Sequence, residues 1–125
     1  MASGIDLIKA ERQRQIEAEG YTPEHDDEHI ANELSRAAEY YVSNGKTPWP
    51  WTSPRGTLSD ERHNHVKAGA LFMAEVARRE RIHVRTGSPA GSRNEGLIQY
   101  FKGEVENCAE WLDMDAARQK DVNPR

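Results

Sequence analysis

The sequence predicts an all-α fold, a four-helix bundle that we expect to form an oligomer. Four segments repeat apolar residues every three or four positions, the spacing of one helix face. Residues typical of helix ends bound these segments, and no segment shows the alternation of a half-buried strand. Because 125 residues are the length of one ordinary domain, we assign 1–125 to a single helical domain.

The first two helices are predicted at 3–19 and 26–43. Gly20 ends the first helix, Thr22 and Pro23 open a new turn, and Asn44-Gly45 ends the second helix. Their apolar stripes are Ile5, Ile8 and Ile16 in the first helix, and Ile30, Leu34, Ala37 and Tyr41 in the second.

The third and fourth helices are predicted at about 59–82 and 94–117. Ser59 is the expected N-cap of the third helix. The Pro- and Gly-rich segments 44–58 and 85–93 are predicted connectors. We expect a core within 3–82 and a frayed tail at 118–125. The apolar faces are Val66, Gly69, Ala70, Phe72, Met73, Val76 and Ala77 in the third helix, and Leu97, Phe101, Cys108, Trp111 and Leu112 in the fourth.

Composition and charge narrow the class of protein. Apolar residues make up 36% of the chain and charged residues 30%, a balance that suits a small helical domain with thin apolar stripes. Oligomerisation would help to cover such stripes and the broad face of the third helix, where Gly69 and Ala70 would allow a close helix–helix approach. The formal net charge of −4 makes nucleic acid a poor candidate partner, because phosphate contacts need clustered lysine and arginine.

The sequence also indicates a cellular location. Cys108 is the only cysteine, which excludes an intrachain disulfide. Residues 1–15 lack the apolar core of a signal peptide, and no run approaches the roughly 20 apolar residues of a membrane span. We therefore expect a cytoplasmic protein that does not contact a membrane.

The segment 22–33, TPEHDDEHIANE, concentrates potential metal ligands. On a continuous helix, Asp26, His29 and Glu33 would share one flank. Carboxylates favour Mg²⁺ or Mn²⁺, and the added histidine admits Zn²⁺. The alternative is a solvated helix start, where acidic residues are favoured electrostatically.

Three charged residues lie on or beside predicted apolar stripes: Arg12, Glu33 and Glu104. A buried charge is unfavourable unless it is paired or binds a ligand. One interpretation is a structural ion pair of Arg12 with Glu33 or Glu104. The other is a polar cleft between helices for an anionic ligand or a metal ion.

The motif PWPW and a lysine of the third helix suggest ligand contacts. Trp49 and Trp51 lie on a rigid loop, where they would either stack on a nucleobase or cover the core. Lys67 would either contact a phosphate or lie at the surface. We find no serine–histidine–aspartate pattern and no phosphate-binding glycine loop, and we assign no catalytic residue.

Three segments resemble a family of small, uncharacterised phage and prophage proteins. They are ERQRQIEAEGYTPEHDDEH at 11–29, PWPW at 48–51 and HVKAGALFMAEVARRER at 65–81. The resemblance covers about residues 3–82 and leaves out the C-terminal helix. It implies a small helical protein that acts in the cytoplasm of a bacterial host.

The layout is more distantly similar to the all-α, MazG-like nucleoside triphosphate pyrophosphohydrolases. The shared features are an acidic second helix, an aromatic loop and a third helix rich in small residues. Members of that family are oligomers that hold Mg²⁺ with carboxylates of two neighbouring helices. Their EExxE motif is absent here, since Glu33 is followed by Arg36 and Glu39. The only ExxD spacing, Glu110 to Asp113, lies on the fourth helix.

Two functional hypotheses follow. The first is a nucleotide-binding protein, either a metal-dependent pyrophosphohydrolase or a degenerate relative. In it, the acidic segment holds Mg²⁺ or Mn²⁺, Arg12 and Lys67 contact phosphate, and Trp49 or Trp51 covers the base. The second is a non-enzymatic anti-defence protein. It would bind a host protein through exposed carboxylates such as those of Glu106, Glu110 and Asp113, or sequester a signalling nucleotide.

Overall fold

The structure is a computed structural model that describes residues 2–28, 32–52, 55–87 and 91–122, with side chains described up to 120. Within these ranges the regular secondary structure is entirely helical, which confirms the predicted all-α class. None of the described helices combines the length and the apolar character needed to span a membrane. The helices are α1 (Gly4–Glu19), α2 (Pro23–Asp26), α3 (Glu33–Val42), α4 (Glu61–Thr86) and α5 (Arg93–Val122).

The first helix follows its sequence signals closely. The Ser3 hydroxyl accepts a hydrogen bond from the backbone N–H of Asp6, and the Asp6 carboxylate accepts one from the N–H of Ser3. This reciprocal capping box begins α1. At the other end Gly20 adopts a left-handed conformation with φ 73°, which a glycine accommodates without strain. The predicted helix at 3–19 is confirmed.

The second predicted helix, 26–43, was wrong in its first part. Thr22 caps the one-turn helix α2, which ends at Asp26, and α3 begins only at Glu33. Asn32 lies between them with φ 64°, a conformation that asparagine tolerates better than most residues. Asp26 and Glu33 therefore lie on different helices. His29 and Ile30 lie outside the described residues.

The last two helices are longer than predicted. Asp60, not Ser59, caps α4, because its carboxylate accepts a hydrogen bond from the N–H of His63. The helix continues to Thr86, where Gly87 ends it with φ 63°. Helix α5 extends to Val122, so 118–122 are helical and were wrongly predicted to be frayed.

Helix α4 is the centre of the fold and contacts each of the other four helices. It is consequently buried on nearly all sides around its middle, and its apolar face is much broader than one stripe. The core is completed by α1, α3 and α5. Its largest buried apolar side chains are Ile8, Leu34, Tyr40, Tyr41, Leu71, Phe72, Ile98, Phe101 and Leu112.

The face of α4 that contains Gly69 and Ala70 is covered by the chain itself. A Cβ atom on Gly69 would lie 2.5 Å from Cδ1 of Ile8, so the absent side chain lets α1 approach α4 closely, as predicted. Both Gly69 and Ala70 are buried in the single chain. This face needs no second copy to cover it, and oligomer formation stays a prediction.

A second close approach, between Gly4 of α1 and α5, gives a stability prediction. A Cβ atom on Gly4 would overlap the backbone carbonyl of Ala109, which no rotamer change can relieve. We expect Gly4→Ala to lower the free energy of unfolding by about 1–3 kcal/mol. Nothing lies within 4 Å of the corresponding position at Gly103 of α5. There, Gly103→Ala should raise the free energy of unfolding by roughly 0.5–1 kcal/mol through helix propensity.

Urea unfolding of the two variants beside the original protein measures both effects. The pair is matched, since each variant adds one methyl group to a helical glycine. A Gly4→Ala protein as stable as Gly103→Ala would show that α1 and α5 are not in backbone contact at this point.

Candidate functional site

The principal cleft of the described structure lies between α1, the segment following it, the α3–α4 loop and α4. Its volume is about 580 Å³, within the range of small-molecule sites. Three residues that the sequence singled out, Trp49, Trp51 and Lys67, line it together. The structure thus brings the predicted base-stacking and phosphate-contacting side chains to one place.

Aromatic side chains form one wall of this cleft. The rings of Trp49 and Trp51 meet edge to face, with centroids 5.1 Å apart. Trp49 also lies edge-on to Tyr40 and Tyr41, at 4.9 and 6.0 Å. Both indoles pack against the core while lining the cleft. The alternative that they cover the core is confirmed, and it is compatible with contact to a ligand.

The loop that presents the tryptophans is anchored at Gly56. The Tyr40 hydroxyl donates a hydrogen bond to the Gly56 carbonyl at 3.0 Å. A side chain at Gly56 would overlap the Tyr41 hydroxyl, so glycine permits this close approach. Burial raises the pKa of Tyr41 to about 12, which keeps its hydroxyl neutral in the cleft wall.

Two cations belong to the same wall. The Lys67 ammonium donates a hydrogen bond to the carbonyl of Thr57 at 3.1 Å and lies 5.4 Å from the centre of the Tyr41 ring. Arg55 is exposed on the loop. Neither residue forms an ion pair within the described part of the chain. Both are consequently available to an anionic ligand.

The opposite wall, from α1, is acidic, with two glutamates, Glu11 and Glu19, that share the one guanidinium of Arg14. The Arg14 guanidinium donates hydrogen bonds to both carboxylate oxygens of Glu11, at 2.7 and 2.8 Å, and lies 3.5 Å from Glu19. Gln15 lines this wall as well, and its side-chain amide donates to Glu11 at 3.2 Å. The cleft therefore has unpaired positive charge on its loop side only.

Arg12 and Asp26 pair with each other, and neither lines the cleft. The Arg12 guanidinium donates to the Asp26 carboxylate at 2.6 Å and to the Tyr21 carbonyl at 3.0 Å. Arg12 forms an ion pair, as expected. Its partner is Asp26, whereas Glu33 or Glu104 was predicted. The interaction instead ties α1 to α2, because Tyr21 and Asp26 follow the turn at Gly20.

Two of the three predicted metal ligands, Asp26 and Glu33, lie within the described residues, and they belong to two different helices. Asp26 is fully buried against the guanidinium of Arg12, and a metal ion at that carboxylate would have to displace this cation. Glu33 begins a different helix. Within the described ranges, no three histidine, cysteine, aspartate or glutamate side chains are grouped to hold a metal ion. Since His29 lies outside those ranges, binding by all three residues stays a prediction.

The cleft also contains Gln15, Tyr21 and Arg55, which were not among the predicted site residues. A signal for Gln15 was present, because Ile8, Arg12 and Gln15 are spaced four and three apart on α1 and all are buried. Tyr21 stacks on His25 at the cleft edge, with ring centres 5.3 Å apart. Tyr21 and Arg55 lie in non-helical segments, where spacing predicts no orientation.

Comparison with models of known protein families, with curated proteins and with solved structures gives no match to this chain. The function is therefore inferred from the chemistry of the cleft.

Proposed function

We propose that the protein binds a nucleotide in the cleft between α1, the α3–α4 loop and α4. The observation that supports this most directly is the convergence of two indoles and two unpaired cations in one cavity. Aromatic side chains of this kind stack on a nucleobase, and lysine and arginine contact phosphate oxygens. Both kinds of contact would use side chains that already line the cleft.

The charges suggest an orientation for the nucleotide. Lys67 and Arg55 are on the loop side, so the phosphates belong there. The base would stack on Trp49 or Trp51 of the same wall, with its edge towards α1 across the cleft. A positively charged loop side in a chain of net charge −4 favours an anionic ligand at this place over other parts of the surface.

The resemblance to MazG-like enzymes would add metal-dependent hydrolysis to this binding. We propose binding as the primary function and derive no hydrolytic step, because Asp26 is already occupied by Arg12. Sequestration of a signalling nucleotide by a phage protein in the cytoplasm of its host needs only the binding site. Assembly into an oligomeric four-helix bundle is part of the same proposal, with light scattering as its measurement.

Substitution of Lys67 tests the binding proposal. We expect Lys67→Met to weaken nucleotide binding by about tenfold or more, since a hydrogen bond to a charged group contributes about 1.5–3 kcal/mol. Lys46→Met is the matched control, because Lys46 is an exposed lysine of the α3–α4 loop that does not line the cleft, whereas Lys67 lies on α4 at the cleft wall. Titration calorimetry with a panel of nucleoside mono-, di- and triphosphates, with and without Mn²⁺, measures the affinities.

Two further readouts complete this experiment. Thermal melting of both variants separates lost binding from lost stability, since Lys67 also contacts the Thr57 carbonyl. Pyrophosphate release in the Mn²⁺ samples would show that the protein hydrolyses the nucleotide as well as binding it. Nucleotide affinities that are equal in Lys67→Met and Lys46→Met would place the ligand elsewhere.

A further inference from the structure

Gln15, a residue of the cleft wall, has a buried polar atom without a hydrogen-bond partner. The residue is only 3% exposed, yet it lines the cavity. Its side-chain oxygen, Oε1, is buried and has no hydrogen-bond partner among the described residues. Buried acceptors are usually paired, and an unpaired acceptor on a residue of the cavity wall lacks a donor that a ligand can supply.

The orientation of this amide is fixed by its neighbours. Gln15 Nε2 donates to Glu11 Oε2 at 3.2 Å, and a carboxylate can only accept. Glu11 is in turn held by the two hydrogen bonds from Arg14. Turning the amide over would place its oxygen against the Glu11 carboxylate. Gln15 therefore offers an acceptor, and not a donor, to whatever binds beside it.

We propose that Gln15 determines which base the cleft accepts, by receiving a hydrogen bond from the exocyclic amino group of adenine or cytosine. This inference rests on the proposed nucleotide binding and adds the class of base. Gln15 lies on the α1 wall, opposite the indoles, so the edge of a base stacked on Trp49 or Trp51 would face it. Bases with an oxo group at the same position, hypoxanthine and uracil, would bring two acceptors together.

The test removes one partner of the proposed hydrogen bond at a time, first the amino group of the ligand and then the amide of Gln15. Binding of AMP is compared by calorimetry with binding of purine riboside 5′-monophosphate, which lacks only the amino group. The original protein should prefer AMP by at least tenfold, because a buried polar group left unpaired penalises the analogue. In Gln15→Met, which removes the acceptor at similar volume, the ratio of the two affinities should approach one. IMP should bind more weakly than AMP, and UMP more weakly than CMP.

A second variant checks the role of Glu11. Glu11→Gln provides an amide that can donate to Gln15 Oε1, so the Gln15 amide is free to turn over. The preference for AMP over IMP should then decrease, while Gln15 itself is unchanged. This variant and the ligand comparison on the original protein remain informative if Gln15→Met does not fold.

The outcomes distinguish this inference from the binding proposal. Equal affinities for AMP and purine riboside 5′-monophosphate in the original protein would overturn the role of Gln15 and leave nucleotide binding intact. The same conclusion follows if Gln15→Met weakens both ligands equally. Absence of binding for every nucleotide would overturn the proposed function, and this inference with it.

Discussion

Replacing Glu75 with glutamine is expected to lower the free energy of unfolding by about 3–5 kcal/mol, the usual consequence of removing one partner from a buried ion pair. Glu75 is completely buried in the middle of α4. Its carboxylate accepts hydrogen bonds from two arginines one turn further along the same helix. Arg78 donates to both oxygens at 2.9 Å, and Arg79 donates to one at 2.7 Å. Both arginines would lose their counter-charge in the variant.

The two arginines cannot easily reach water instead. Arg78 is 3% exposed and Arg79 is 9% exposed. Arg79 also donates to the side chains of Asn32 at 2.6 Å and Asn94 at 3.2 Å, which ties α4 to the start of α3 and to α5. Loss of the carboxylate therefore affects a junction of three helices.

Glu80→Gln is the matched control for Glu75→Gln. Glu80 lies on the same helix and forms an ion pair with Lys102 at 3.4 Å, but the two side chains are 52% and 46% exposed. Exposed pairs contribute about 0–1 kcal/mol, so this variant should remain close to the original protein in urea unfolding. A Glu75→Gln protein that unfolds at the same urea concentration as Glu80→Gln would contradict the role of the buried network.

The Glu75 network also shows where sequence patterns were insufficient. Amphipathic spacing predicts a helix that is buried on one face, and α1 and α5 are close to that case. Helix α4 contacts all the other helices, so polar residues are buried on it too. Glu75, Arg78 and Arg79 have the spacing of helical ion pairs, which gives no information on depth. Their burial depends on the packing of α3 and α5.

The candidate site was also only partly predictable, because the sequence shows the chemistry of side chains more clearly than it shows where helices end and pack. Trp49, Trp51 and Lys67 were selected for their side-chain chemistry, and the fold brings them to one cleft. The metal prediction needed Asp26 and Glu33 on one continuous helix, and α2 ends before α3 begins. Thr22 and Pro23 marked a helix start in the sequence. No comparable signal marked the break that follows α2.

The second large effect is expected at Arg12, and it depends on pH. Arg12→Met removes the cation from the fully buried Asp26. At pH 7 we expect a loss of about 3–5 kcal/mol in the free energy of unfolding, because a charged carboxylate is left unpaired. Burial already raises the pKa of Asp26 above its ordinary value, although Arg12 acts in the opposite direction. Without Arg12 the pKa of Asp26 should rise further.

The sign of the pH dependence follows from this shift. With its pKa raised in the folded protein, Asp26 binds a proton more readily there than in the unfolded chain. Protonation relieves the penalty of the buried charge. The loss of unfolding free energy caused by Arg12→Met should therefore shrink as the pH falls towards the ordinary pKa of an aspartate. The Asp27 carboxylate has a pKa lowered by its hydrogen bonds from Arg81, and this effect is common to both proteins. It cancels in the comparison.

Urea unfolding at pH 7 and pH 5 measures the difference between Arg12→Met and the original protein. Asp26→Asn in the Arg12→Met background is the second arm, since it removes the buried charge at every pH. It should recover part of the stability at pH 7 and little at pH 5. A loss that is equal at both pH values, and unaffected by Asp26→Asn, would show that Arg12 acts through its contact with the Tyr21 carbonyl and not through its charge.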